Sequence, residues 1–371
     1  MKKIAVIGAS YLQLPLVKKA KEMELQVHCF AWEDGAVCKE YADYFYPISI
    51  LDKEEILKVC KDVQIDAITT IASDVAVLTV NYVASNMGLI SNPIEYTEIT
   101  TNKYLMRECF SKNKVPSPKF SIARRGSNLD IDGFNFPLIV KPTDRSGSRG
   151  VTKIDTFDTL HDALSRAQDE SFSGNAIIEE YVSGREISVE TISNDGIHYI
   201  LQITDKVTTG SPYFVELEHH QPTSLPEPIA IQVKKIVLSA LDALHIKFGA
   251  SHSELKITET GDIKVIEVGA RMGGDFIGST LVQLSTGYDF LEGVINVALG
   301  QFKVPKFSES NYSGVYFLSK ETEYLYEIIQ RGQFSSQIVE AQITDRRLRN
   351  IQNSSDRSGY LIYKSNCKLV L

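Results

Sequence analysis

The chain has 371 residues and a net charge of −8, with 43% hydrophobic and 23% charged side chains. That length suits two or three domains with cores of their own, and the balance is that of an ordinary globular protein, not of a nucleic-acid binder with its basic excess. No apolar run nears the ~20 residues a bilayer span needs, and five scattered cysteines without a CxxC pair give no disulfide framework or zinc site, which fits a reducing, cytoplasmic setting.

Lys2-Lys3 before Ile4–Ile7 has the start of a signal peptide, but the apolar run breaks at Gly8-Ala9-Ser10, so residues 3–8 read as a first buried strand. A helical pattern follows at 12–23, then a strand at 27–31, helical periodicity at 56–60, a strand at 67–71 and a helix at 74–86. Strands alternating with helices predict a parallel sheet covered on both faces, a Rossmann-like unit. The dinucleotide fingerprint is missing, because Ser10 and Gln13 stand where its second and third glycines would be. The turn Ser91-Asn92-Pro93, a helix at 97–112 and Pro116-Ser117-Pro118 mark a junction. Beyond it the texture changes to strands at 136–141, 176–182, 186–193 and 197–205, a long helix at 227–245, strands at 248–257 and 263–268, and helices over 275–299. This predicts an α+β body; the remaining residues are mixed.

Three segments carry chemistry. Lys141 ends an apolar strand and is followed by the Gly/Ser-rich loop 144–150, in which Ser146, Gly147 and Ser148 could close over phosphates with Arg149 nearby. It is not a P-loop, since no Gly-Lys-Ser/Thr follows. The strand ending in Glu179-Glu180-Tyr181-Val182, with Glu186 beyond a Ser183-Gly184 turn, offers an acceptor and a backbone edge to a planar base; a hairpin with surface glutamates is the bland alternative. Glu254 and Glu267 flank the Gly261-Asp262 turn, and counting inward puts both on one face of a hairpin. Like charges in a cleft are costly unless a cation lies between them, and Mg²⁺ carried by ATP meets that need. Arg271, after a small-residue turn, could reach a transferring phosphoryl group, or simply pair with a glutamate.

In this order the segments resemble the ATP-grasp superfamily, most closely its carboxylate–amine (L-amino acid) ligases, whose layout biotin carboxylase and carbamoyl phosphate synthetase share. The resemblance implies α/β plus α+β architecture. A Rossmann-like pre-ATP-grasp domain would span 1–98, an ATP-grasp body of two α+β subdomains 99–300 (lid about 118–182), and a small C-terminal lobe 301–371. It implies that Lys103 and Lys141 meet the nucleotide phosphates under the lid loop. Glu179 would accept from the adenine amino group, Glu180, Tyr181 and Val182 would form the hinge, and Glu186 would bind the ribose. Glu254 and Glu267 would hold Mg²⁺, with Mn²⁺ as a substitute, and Arg271 would steady the phosphoryl group. Many family members have Asn two residues after the second metal glutamate; Gly269 stands there, which favours one ion over two. Candidate substrate contacts are Glu218, His219, His252, Arg357 and Asp74, the last equally readable as the cap of helix 74–86. The implied activity is ATP-dependent joining of a carboxylate to an amine through an acyl phosphate, releasing ADP and phosphate; a purine-biosynthetic or bicarbonate-using ATP-grasp enzyme is the alternative. Partners would be the small-molecule substrates, with neither nucleic acid nor membrane, and a homodimer is open to it.

Overall fold

Short apolar strands separated by amphipathic helices can bury both faces only in a covered parallel sheet, and the first ninety residues form one. The computed structural model describes every residue except Asn128, Ser148 and Ser335; Ser148, expected in the phosphate loop, therefore lies outside the described residues. Strands β1 (Lys3–Ile7), β2 (Gln26–Phe30), β3 (Tyr44–Tyr46) and β4 (Ala67–Thr69) are parallel in the order β3-β2-β1-β4. Helix α1 (Leu14–Glu22) packs Leu16, Val17 and Ala20 on one face of the sheet, and α2 (Lys53–Val63) and α3 (Asp74–Met87) cover the other. Ser73 caps α3 by accepting from the Ala76 amide, so Asp74 is the helix's first residue and not its cap.

Two 3₁₀ turns at 94–100 lead into α4 (Lys103–Lys112), a shorter helix than the predicted 97–112, capped by Asn102, whose side chain accepts from the Tyr104 and Leu105 amides. A second sheet of antiparallel strands follows, in the order β5-β8-β6-β7: β5 (Phe120–Ala123), β6 (Leu138–Pro142), β7 (Thr152–Ile154) and β8 (Ala176–Glu180). Helix α5 (Leu160–Glu170) covers one face with Leu160, Ala163 and Ala167. The chain leaves this sheet through Gly184 at φ +132°, where a Cβ would stand 2.1 Å from the Ile257 carbonyl oxygen, so only glycine permits the crossing.

The third sheet has eight antiparallel strands in the order β13-β12-β9-β10-β11-β14-β16-β15. They are β9 (Arg185–Asn194), β10 (Ile197–Thr208), β11 (Glu216–Gln221), β12 (Gly249–Ile257), β13 (Ile263–Gly269), β14 (Tyr312–Leu318), β15 (Ile338–Ile343) and β16 (Gly359–Ser365). Helix α6 (Glu227–Ala243) seals one face by burying Val233, Val237, Ala240 and Leu241 against Val189, Leu255 and Val265. The helices predicted over 275–299 are a π turn at 277–281, α7 (Val282–Thr286) and α8 (Phe290–Ala298). Helix α8 joins α1 in the core of the first sheet. The last segment extends the main sheet: β14 hydrogen-bonds to β11, and α9 (Tyr324–Arg331) packs behind it.

Candidate functional site

Glu254 and Glu267 are direct cross-strand partners, although straight counting from the turn would set Glu254 opposite Ile266. A bulge between them and the turn makes Ile266 the extra residue of β13, since Leu255 pairs with Val265. Each carboxylate meets a lysine: Lys206 Nζ lies 2.7 Å from Glu254 and Lys103 Nζ 2.8 Å from Glu267. Burial alone would raise the Glu254 carboxyl, but Lys206 and His252 beside it hold it well below the usual carboxylate range. Lys206, on β10, also faces Glu186 at 3.1 Å and Glu216 at 3.4 Å; burial opposes its charge, and the three carboxylates outweigh burial to raise its pKa.

Glu216, Glu254 and Glu267 line a cavity between the second sheet and the β12–β13 hairpin. Lys103, Lys141, Ser146, Gly147, Glu179, Glu180, Tyr181, Val182, Glu186, Asp74, His252 and Arg271 line it too, so predicted residues far apart in sequence converge on one space. Lys141 and Glu179 are buried together, 2.7 Å apart. Burial and the neighbouring cations Arg107 and Lys103 lower the Lys141 pKa despite Glu179. Glu179, expected to accept from the adenine amino group, also meets a second cation: its other oxygen lies 2.8 Å from Arg107 Nε. The base of the loop is fixed. Lys103 donates to the Arg145 carbonyl, and the Asp144 carboxylate accepts from the Ser171 hydroxyl and the Phe172 and Ser173 amides.

A second cavity of about 660 Å³ adjoins the first, sharing Asp74, Glu216, His252, Glu254 and Arg271 and adding Tyr11, His219 and Asp275. Arg271 donates to Asp74 at 2.8 Å, tying β13 to the first sheet's α3. His252 sits between the fully buried Glu190 and Glu254; burial opposes its charge, yet the carboxylates lift its pKa to about 9. His219 is buried on the cavity wall, neither ring nitrogen hydrogen-bonded, and burial lowers its pKa. Arg357 braces that wall from behind, donating to Asp275 at 2.7 Å and to the Glu216 carbonyl at 2.9 Å. Glu218 is a correction. It points to the other side of the sheet, 2.8 Å from His220, and Glu216 takes the place expected of it.

Arg107, Lys206, Glu190, Glu216 and Asp275 escaped the sequence reading. Lys206 follows Asp205 at the polar end of its strand and had no distinct local signal; Arg107 and Glu190 acquire meaning only from partners 72 and 62 positions away. Among the described residues no cluster of three or more His, Cys, Asp or Glu is placed to hold a metal unaided, and no helix is long and apolar enough to cross a membrane.

The ATP-grasp domain family matches residues 134–279. Alanine–anticapsin ligase of Bacillus subtilis (strain 168) is 28% identical over 248 residues, 60% of this chain and 51% of the relative. D-alanine–D-alanine ligase of Francisella philomiragia is 26% identical over 179 residues, 47% of this chain and 58% of the relative. The chain thus spans about half the length of the curated relatives it matches. Among solved structures, an L-amino acid ligase from Bacillus licheniformis superposes with a TM-score of 0.81 at 23% identity, covering 99% of this chain and 94% of that one. Phosphoribosylglycinamide synthetase from Anaerococcus prevotii does so at 0.77 and 19%, with the same coverage. Both share this fold.

Proposed function

Residues 134–279 being an ATP-grasp domain, we propose that this protein is an ATP-dependent carboxylate–amine ligase, with ATP in the first cavity and the substrates in the second. The observation that carries the reading is the facing pair Glu254–Glu267, each matched by a lysine, in a cavity also lined by Lys141 and the 179–182 hinge. The residues fit Mg²⁺. Two hard oxygen donors face each other with no third protein ligand among the described residues, the set for an ion that takes phosphate oxygens and water as its remaining ligands. When bound, the ion would neutralise charge on the transferring phosphoryl group.

Lys103 and Lys141 would pair with the phosphates beneath the loop containing Ser146 and Gly147, and Glu186 with the ribose. The loop would exclude water while the acyl phosphate exists. A substrate carboxylate oxygen attacks the γ-phosphorus and ADP leaves; the amine nitrogen then attacks the acyl carbon, loses a proton and expels phosphate. Catalysis of this kind is mostly positioning and charge neutralisation. Arg271 is placed where the two cavities meet and suits the transferring group. The second cavity, with Asp74, Glu216 and Asp275 set among Arg271 and two histidines, suits zwitterions such as amino acids, which favours an amino-acid ligase over a bicarbonate-using enzyme. The domain limits we propose are 1–98, 99–300 and 301–371, with the 118–182 segment as the lid.

The test is a phosphate-release screen over pairs of amino acids, dipeptides, formate and bicarbonate, using ATP and Mg²⁺. We expect ADP and phosphate with an amino-acid pair, heavy oxygen from a labelled carboxylate in the phosphate, and at least about a hundredfold loss in Glu267→Gln. AMP as product, or full activity in Glu267→Gln, overturns the reading.

A further inference from the structure

Arg107 is the largest side chain fully withdrawn from solvent. It extends from α4 between the second and third sheets. Its Nη2 donates to the carbonyl of Ile266, the extra residue of the β13 bulge, and its Nε lies 2.8 Å from Glu179 of β8. Glu179 is 3% exposed and has Lys141 Nζ 2.7 Å from its second oxygen. Two cations thus flank one buried carboxylate at the wall of the first cavity, beside the hinge residues and the apolar Ile139 and Ile266.

A buried ion cluster is a poor source of stability in itself, since desolvation consumes most of the attraction. Its location gives it another use. A buried carboxyl left alone takes up a proton, and a protonated carboxyl can donate a hydrogen bond. Here burial pushes Glu179 up, and Arg107 and Lys141 more than reverse that push. Lys141 is the cation that nucleotide phosphates would draw on. Arg107 itself does not line the cavity and cannot lose its proton, so it remains the counter-ion throughout.

We infer that Arg107 is a positioning residue that sets base selectivity, holding Glu179 as a fixed acceptor-only group that takes the amino group of adenine and rejects the carbonyl oxygen of guanine. This rests on the reading of the first cavity as a nucleotide site. An ionised carboxylate has no hydrogen to offer guanine, and two like-polarity oxygens repel.

The experiment is calorimetric titration of ATP and GTP, each with Mg²⁺, into the parent, Arg107→Met, Arg107→Lys, Glu179→Gln and the Arg107→Met/Glu179→Gln double variant. The parent is expected to favour ATP. Arg107→Met should cut the ATP-to-GTP affinity ratio by about tenfold or more, the scale of one charge-assisted hydrogen bond, and Arg107→Lys by less. The double variant should match the ratio of Glu179→Gln, because Arg107 acts through that carboxylate. A purely structural arginine would weaken both nucleotides alike and leave the ratio unchanged. That result, in either folded Arg107 variant, overturns the inference, as does a parent that binds ATP and GTP equally. A parent that binds neither overturns the nucleotide reading instead.

Discussion

Gly269 shows how a single missing atom organises the site. A Cβ there would lie 2.6 Å from Asp74 Oδ1 and 3.0 Å from Arg271 Cζ. The asparagine that the family resemblance leads one to expect would therefore displace the Asp74–Arg271 pair, and the glycine is room for that pair. Arg271 depends on it: burial opposes the charge, and Asp74 overcomes this to raise the pKa further. Arg271→Lys keeps the charge and loses the planar fork that can hold Asp74 and a phosphoryl oxygen together. We expect kcat to fall by at least about tenfold, with ATP affinity changed by less than about twofold, as for a contact made mainly in the transition state. Steady-state kinetics beside calorimetry checks this; equal losses in both would assign Arg271 to ground-state nucleotide binding. At this scale local pattern singles out Lys141, Glu254 and Glu267 and the family resemblance adds Lys103, and all four line the first cavity. The sequence hides Arg107, whose partners Glu179 and Ile266 are brought by two separate strands. It misleads at Glu218, because a register shift at Val207/Thr208 changes the phase of β11 and turns Glu216 inward instead.

Among the elements, α4 has an influence beyond its ten residues. It carries Lys103 at its first position and Arg107 one turn later, so one short helix supplies cations to both carboxylate clusters. Its start is set by Asn102, whose side chain accepts two amides. Asn102→Ala is expected to cost about 1 kcal/mol and to weaken ATP binding through loosened Lys103, both measurable by urea unfolding and titration. Unchanged stability would show that the tertiary contacts of Met106 and Phe110 alone define the helix. The β12–β13 hairpin was legible because Gly261-Asp262 and flanking alternation specify it. The helices expected over 275–299 are present, but apolar periodicity does not locate their limits, which follow from the positive φ at Asp275 and Phe276 and the break at Gly287. The edge strands β3 and β15 are short, and β15 is largely exposed, so neither leaves a two-residue alternation of burial to find.

Across the whole molecule, four histidines pull stability in opposite directions with pH. Burial lowers the pKa of His28, His198 and His219 from 6.5. Below that value the unfolded chain binds protons the folded chain refuses, so their contribution is present above pH 6.5 and lost as pH falls. His252 runs the other way: its pKa is raised from 6.5 to about 9, so its contribution is full below pH 6.5 and fades as pH rises through about 9. The melting midpoint should peak near neutrality and drop by about pH 5.5 and about pH 9.5. A midpoint climbing steadily across that span in a pH series would contradict the assignment.

Strand β11 lies in the interior of its sheet only because β14 pairs with it, and Arg357, close to β16, secures the wall that β11 forms. A chain growing from the ribosome makes these pieces in the reverse of the order in which the wall needs them. Both carboxylates and their hairpin emerge by residue 269, while the partner strand begins at Tyr312 and the bracing arginine is residue 357. Through that interval β11 presents an open edge, a template for pairing with any neighbouring extended chain. The birth of this protein therefore includes a stage that is sticky along one strand and lacks the brace of its second cavity, and the burden of shielding it falls on whatever attends the nascent polypeptide.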